Sequence, residues 1–143
     1  HHLQQAGFDP DPVDASSAMV VLAKKRYGLK ARVGSFEDDL AEGAYDGVWA
    51  NFSLLHAPRH QFPVYLKKLH AALADNGVLH LGLKRGAGEK RDRLGRLYAF
   101  FETDELREYL TAEGFETLKT HEGEEAGLAG SVDPFVLILA RKV

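Results

Sequence analysis

Apolar residues recur along this chain in two spacings, and the alternation between them predicts its elements. His1 to Ala6 reads as the last turns of a helix, with Leu3 and Ala6 on one face and Gly7 suited to the left-handed position that follows. Pro10 and Pro12 weaken any strand before Val13, so a short strand is placed ending at Asp14. Ser16-Ser17 offers N-cap oxygens to a helix whose stripe is Met19, Val20, Leu22, Ala23 and Tyr27. Lys24, Lys25 and Arg26 suit its negative end, and Gly28 stops it. Leu29 to Val33 predicts a second short strand leading into Gly34-Ser35-Phe36, with Glu37-Asp38-Asp39 as a solvated loop. Tyr45 to Ala50 is a stronger strand centred on Val48 and Trp49 and ending at Asn51.

In the second half, Tyr65, Leu66, Leu69, Ala72 and Leu73 predict a helix from about Phe62 to Ala74. Asp75-Asn76-Gly77 turns the chain into a buried strand, Val78 to Leu83. Lys84 to Arg96 holds two close glycines and six Lys or Arg against Glu89 and Asp92, so it reads as a loop of net charge about +4. Thr103 looks like the N-cap of a helix with Asp104 and Glu105 in its first turn, ending at Gly114. Phe115 to Thr120 and Phe135 to Arg141 are two final strands separated by a Gly- and Glu-rich loop. This order predicts an open α/β sheet covered by helices on both faces and closed by an antiparallel hairpin. Ligands of such sheets bind at the carboxyl ends of strands, which directs attention to Asp14, Ser35, Asn51 and Lys84.

Composition sharpens this picture. The chain has 143 residues, the size of a single domain spanning 1–143, and is 45% hydrophobic and 27% charged, which is too apolar for a disordered chain. Eighteen Lys and Arg against 21 Asp and Glu give a net charge of -3, which argues against nucleic acid as a main partner. There is no cysteine, excluding disulfides, thiolate metal sites and cysteine nucleophiles. No apolar run approaches the roughly 20 residues of a membrane helix, and the N-terminus lacks a signal-peptide core, so neither a membrane partner nor export is expected and a cytoplasmic location is. His1-His2 opens the chain and Met19 is its one methionine; the histidines read either as a tag remnant or as native residues on the end of a helix.

Asp14 is the first candidate for chemistry. A carboxylate at a strand end, followed by small residues and a helix start, suits both hydroxyls of an adenosine ribose, through charged hydrogen bonds of about 1.5–3 kcal/mol each. The competing reading is that Asp14 simply caps the helix. Asp14, Met19, Phe36 and Asn51 stand at or just beyond three successive strand ends.

Five stretches in order, Val13-Asp14-Ala15-Ser16-Ser17-Ala18-Met19, Gly34-Ser35-Phe36-Glu37-Asp38, Tyr45-Asp46-Gly47-Val48-Trp49-Ala50-Asn51, Leu54-Leu55-His56 and Leu73-Ala74-Asp75-Asn76-Gly77-Val78-Leu79, resemble the class I S-adenosylmethionine-dependent methyltransferases. The resemblance covers nearly the whole chain. It implies a three-layer Rossmann-like methyltransferase fold, mostly parallel with a C-terminal antiparallel hairpin, and S-adenosylmethionine as cofactor. By this resemblance Asp14 binds the ribose, and Ala15, Ser16 and Met19 line the adenosine side. Ser35 and Phe36 form the adenine-edge pair, although the family usually has an acid where Ser35 stands. Asn51 belongs to the wall near the methionine moiety, with Leu55-His56 just beyond it.

The family's first strand and glycine-rich loop have no counterpart here, and His1 to Gly7 matches the end of the helix that follows them. That strand is central in the family's sheet, so this chain is expected to be an incomplete version of the domain. Its second and fourth strands then pair directly, accept another chain between them or rearrange, and cofactor affinity is expected to be poor.

Gly86-Ala87-Gly88 follows a strand, but charged residues and no helix come after it, so it is not a dinucleotide fingerprint. Lys84, Arg85, Arg93 and Arg96 suit an anionic small-molecule substrate, with Tyr98 and Phe101 as apolar contacts, and equally suit a solvated basic loop. His56 is the candidate general base for a hydroxyl or amine acceptor, against the reading that it packs or caps. Methyl transfer to a good nucleophile needs mainly alignment and no dedicated base. His70 and His80 look structural, and no metal-ligand spacing is present. The favoured reading is methyl transfer to a small molecule; a noncatalytic binding or assembly module and a nucleotide-dependent oxidoreductase are its rivals. Homo-oligomer formation is left open.

Overall fold

The strand expected over Tyr45–Ala50 runs one residue further in the computed structural model, as Tyr45–Asn51, and the structure describes residues 1–126 and 132–143. The chain divides into two compact units, residues 1–39 and residues 40–143.

In the first unit, α1 (His2–Gln5) ends where expected, with Gly7 at φ 90°. Two short strands, β1 (Val13–Asp14) and β2 (Arg32–Val33), pair in parallel, Val13 beside Arg32 and Asp14 beside Val33. Between them runs α2 (Ser17–Tyr27). Ser16 is its N-cap, its Oγ accepting from the Met19 N–H at 3.3 Å, and Gly28 closes it at φ 67° with its N–H donating to the Lys24 carbonyl. Both caps agree with the sequence reading, because each satisfies backbone groups that a helix end leaves free. The stripe differs from a core-facing one, as its Met19, Leu22 and Tyr27 are exposed and α2 buries no residue.

The second unit is built on a four-stranded sheet. Its strands are β3 (Tyr45–Asn51), β4 (Leu73–Lys84), β7 (Phe115–Ala126) and β8 (Val132–Lys142), in the order β3-β4-β8-β7. β3 and β4 are parallel; β8 is antiparallel to both β4 and β7, which gives the expected terminal hairpin. Both hairpin strands are longer than expected, extending into the Gly- and Glu-rich loop, the rest of which, 127–131, lies outside the described residues. Among the described residues β3 pairs only with β4, and β1 only with β2. Of the three expected arrangements, direct pairing of the family's second and fourth strands is not found among the described residues.

One face of this sheet carries the core. Ala50, Leu79, Leu81, Leu83, Val136, Ile138 and Ala140 alternate along β3, β4 and β8 and are buried, as a period of two requires. They share a cluster with Phe62, Tyr65 and Leu66 of α3 (Phe62–Ala72), Leu106 and Leu110 of α4 (Thr103–Ala112), and Leu54 and Leu55 of a short 3-10 turn. Each large apolar side chain buried this way contributes about 1.5–3 kcal/mol.

Three local expectations are corrected. α3 stops at Ala72, and the Asp75-Asn76-Gly77 turn becomes an irregularity inside β4, where Asn76 takes φ 62° and the register jumps from Leu73 to Val78. Lys84–Arg96 is not a free loop. It contains β5 (Glu89–Arg91), which pairs antiparallel with β6 (Leu97–Ala99) across a turn held by Asp92, whose carboxylate accepts from the N–H groups of Leu94 and Arg96. Thr103 does not cap α4: it is the first residue of the helix, Glu102 holds the cap position, and the Thr103 hydroxyl donates to Glu122 of β7.

Candidate functional site

Within the first unit, the two parallel strands end side by side, and the Gly34 N–H donates to the Asp14 carbonyl at 3.1 Å. This brings together Asp14, Ala15 and Ser16 after β1, Met19 on the first turn of α2, and Ser35 and Phe36 after β2. Asp14 Oδ1 accepts from the Ser16 N–H at 2.8 Å, forming a tight turn ahead of the helix, and Oδ2 has no partner among the described residues. Asp14 is therefore not the N-cap; Ser16 holds that position.

The second turn is shaped by Asp38, which the sequence reading left in a solvated loop. Its Oδ2 accepts from the Ser35 N–H at 2.7 Å, while Ser35 Oγ accepts from the Glu37 N–H at 3.1 Å. A Cβ on Gly34 would lie 2.8 Å from Val13 Cγ1 and 2.9 Å from Asp38 Oδ2, so any larger residue there would push these two side chains aside. The Ser-x-x-Asp spacing is the local signal that could have revealed it.

These groups suit an adenosine. The unpartnered oxygen of Asp14 is an acceptor for ribose hydroxyls, and Ser35 Oγ keeps a donor proton and a further lone pair for the adenine edge. Exposed Met19 and Phe36 offer apolar contact.

In the second unit, Asn51 ends β3 and Phe52 follows at φ 52°, its N–H donating to the Gly82 carbonyl. A left-handed phenylalanine bends the chain sharply at the strand end, a conformation found mostly where surrounding structure enforces it. Asn51 Oδ1 accepts from His80 Nε2 at 3.0 Å. The His80 ring stacks on Trp49 with centroids 3.8 Å apart, and burial lowers the His80 pKa. His80, read from sequence as structural, thus contacts a candidate site residue. Only the parallel register of β3 on β4, which no local pattern encodes, brings the two together.

His56 lies on the 3-10 turn Leu54–His56, its Nδ1 2.8 Å from the Leu97 carbonyl and its ring edge-on to Tyr98 at 4.8 Å. A carbonyl only accepts, so Nδ1 carries the proton, and in the neutral ring Nε2 is left as a free base. Tyr98 also lies beneath Lys84 at 4.9 Å and Arg96 at 5.6 Å.

The basic residues are largely matched by acids. Lys84 pairs with Asp133 at 2.5 Å, Arg96 with Asp92 at 2.7 Å, and Arg85 with Glu122 at 2.8 Å. Arg93, on the turn of the β5–β6 hairpin, is exposed and makes no ion pair among the described residues. Lys84, Arg96 and His56 are brought together around Tyr98; among the described residues Arg93 makes no ion pair or ring contact with them.

A family model described as a methyltransferase domain matches residues 2–81. No curated protein matches the chain. Among solved structures, the 1,6-didemethyltoxoflavin-N1-methyltransferase of Burkholderia thailandensis, with bound 1,6-didemethyltoxoflavin and S-adenosylhomocysteine, is similar at 25% identity and a TM-score of 0.78. The match covers 99% of this chain and 64% of that one, so this chain spans less than two-thirds of that enzyme's length. A methyltransferase from Methanosarcina mazei described as SAM-dependent has a TM-score of 0.84 at 16% identity, over 99% of this chain and 85% of that one. The cyclase SpnF shares the fold at a TM-score of 0.69 and 18% identity, over 99% and 69% of the two chains. With more than half its length matched by the family model and this fold throughout, the chain belongs to the class I S-adenosylmethionine-dependent methyltransferases.

Proposed function

We propose that this chain serves S-adenosylmethionine-dependent methyl transfer to a small-molecule acceptor. The observation that carries the reading is its likeness, over 99% of its length, to an enzyme holding S-adenosylhomocysteine and a small heterocycle. Bound S-adenosylmethionine supplies an electrophilic methyl group on a sulfonium sulfur. In this reading Asp14 accepts from the ribose, Ser35 meets the adenine edge, and Ala15, Ser16, Met19 and Phe36 line the adenosine. Asn51 meets the methionine part.

On the acceptor side, His56 Nε2 takes the proton of a hydroxyl or amine as it is methylated, and Tyr98 offers an aromatic edge. The pairing of Lys84 with Asp133 and of Arg96 with Asp92 favours a neutral acceptor over the anionic one that the basic stretch also suited. A cation already matched by a carboxylate has little charge left for a ligand.

Because a cyclase shares this fold, the fold alone does not select the chemistry. The test is calorimetric binding of S-adenosylhomocysteine together with transfer of a labelled methyl group from S-adenosylmethionine to a panel of neutral heterocycles, phenols and carboxylates. Asp14→Ala is expected to weaken binding about tenfold to a hundredfold, the effect of losing hydrogen bonds to a charged group. Binding without transfer to any acceptor would favour the noncatalytic module, and no binding would remove the cofactor assignment.

A further inference from the structure

We propose that His80 is a positioning residue that, braced by Trp49, pins the Asn51 side-chain carbonyl so that its amide donors are presented to a ligand acceptor. The proposal rests on the reading of Asn51 as a cofactor contact.

The argument begins with register. β3 and β4 run parallel with Trp49 opposite His80 and Asn51 opposite Gly82. Residues two apart on a strand share a face, so Trp49, Asn51, His80 and Gly82 form one block on the face opposite the leucine core.

Three constraints act on a single carbonyl oxygen. His80 Nε2 lies 3.0 Å from Asn51 Oδ1, and since that oxygen can only accept, Nε2 must carry a proton. The imidazole cannot swing freely, because the Trp49 indole lies against it at 3.8 Å and 12° from parallel. Gly82 leaves the room beneath the amide that this placement uses: a Cβ there would displace Asn51 Oδ1 from its position.

Asn51 is exposed, and an exposed asparagine ordinarily samples several rotamers. Here its oxygen is committed to His80, so its Nδ2 group faces other directions, and it donates to no described residue. A donor pair held in one orientation without a protein partner is preorganised for an acceptor atom brought by a ligand, such as a carboxylate or carbonyl oxygen. Trp49 is 60% exposed, so the stack gains little from burial, and its clearest effect is to orient His80.

The test combines NMR and calorimetry on the whole chain, using Asn51→Ala, His80→Phe, His80→Gln and the Asn51→Ala/His80→Phe double variant. His80→Phe keeps an aromatic ring against Trp49 and removes the donor; His80→Gln restores a donor. The Asn51 side-chain amide signals are expected to move to solvent-exposed positions in His80→Phe and to return toward wild type in His80→Gln. S-adenosylhomocysteine binding is expected to weaken about tenfold in His80→Phe, with the double variant no weaker than Asn51→Ala alone. Losses that add in the double variant, or Asn51 amide signals unmoved by His80→Phe, would overturn the proposal. If the wild-type chain does not bind S-adenosylhomocysteine, the cofactor reading fails separately, and the amide signals alone decide whether His80 positions Asn51.

Discussion

His56 is tied through Nδ1 to the Leu97 carbonyl at 2.8 Å, a contact that joins the turn after β3 to the β5–β6 hairpin. This bond fixes the ring and leaves Nε2 as the basic nitrogen. For an acceptor that must lose a proton, His56→Gln is expected to lower the rate about a hundredfold while leaving S-adenosylhomocysteine affinity within about twofold. Steady-state rates with hydroxyl and amine acceptors check this. An unchanged rate in His56→Gln would assign His56 to packing.

The core-forming side chains all lie from Ala50 onward, and no residue of 1–39 is buried. Local opening is governed by how much apolar contact is lost, so the two units should differ in protection. Amides of α2 are expected to exchange about a hundredfold or more faster than those of β4 and β8. Hydrogen exchange followed by mass spectrometry measures this, and equal protection in α2 and β4 would contradict it.

The same contrast can be read by substitution. Leu106 on α4 is fully buried, whereas Val21 on α2 is 65% exposed. Leu106→Ala is expected to cost about 2–5 kcal/mol, by lost burial plus a cavity. Val21→Ala should stay within about 0.5 kcal/mol. Denaturant melts of the two variants decide the matter, and similar midpoints would show that α2 carries more of the stability than its exposure indicates.

Burial lowers the His80 pKa from its ordinary value of 6.5. The unfolded chain therefore takes up a proton at a pH where the folded chain does not, so this contribution is fully present above the unfolded pKa and is lost as pH falls through the folded one. The thermal midpoint should fall as the pH drops below the ordinary imidazole value of 6.5, and fall less in His80→Phe. Parallel declines in both proteins would remove His80 as the source.

Much of the local architecture was legible before the tertiary structure. Ser16 as N-cap, Gly28 as helix stop, Gly7 after the first helix and the strand over Tyr45–Asn51 all depend on neighbouring residues, and all are found. Errors arose where a distant partner intervened. The Thr103 hydroxyl donates to Glu122, 19 residues away in the chain, and is not the cap of its helix. Lys84 and Arg85 lost their apparent availability to Asp133 and Glu122, acids 49 and 37 residues away.

The sequence by itself determined the order of helices and strands apart from β5 and β6, the terminal hairpin and the likeness to class I methyltransferases, since periodicity, caps and motif order are written in adjacent residues. Only the tertiary structure decided that β3 pairs with β4 alone among the described residues, that α2 buries none of its side chains, and that His80 meets Asn51. Strand register and helix burial depend on contacts between residues far apart in the chain, and such contacts form only when the chain folds.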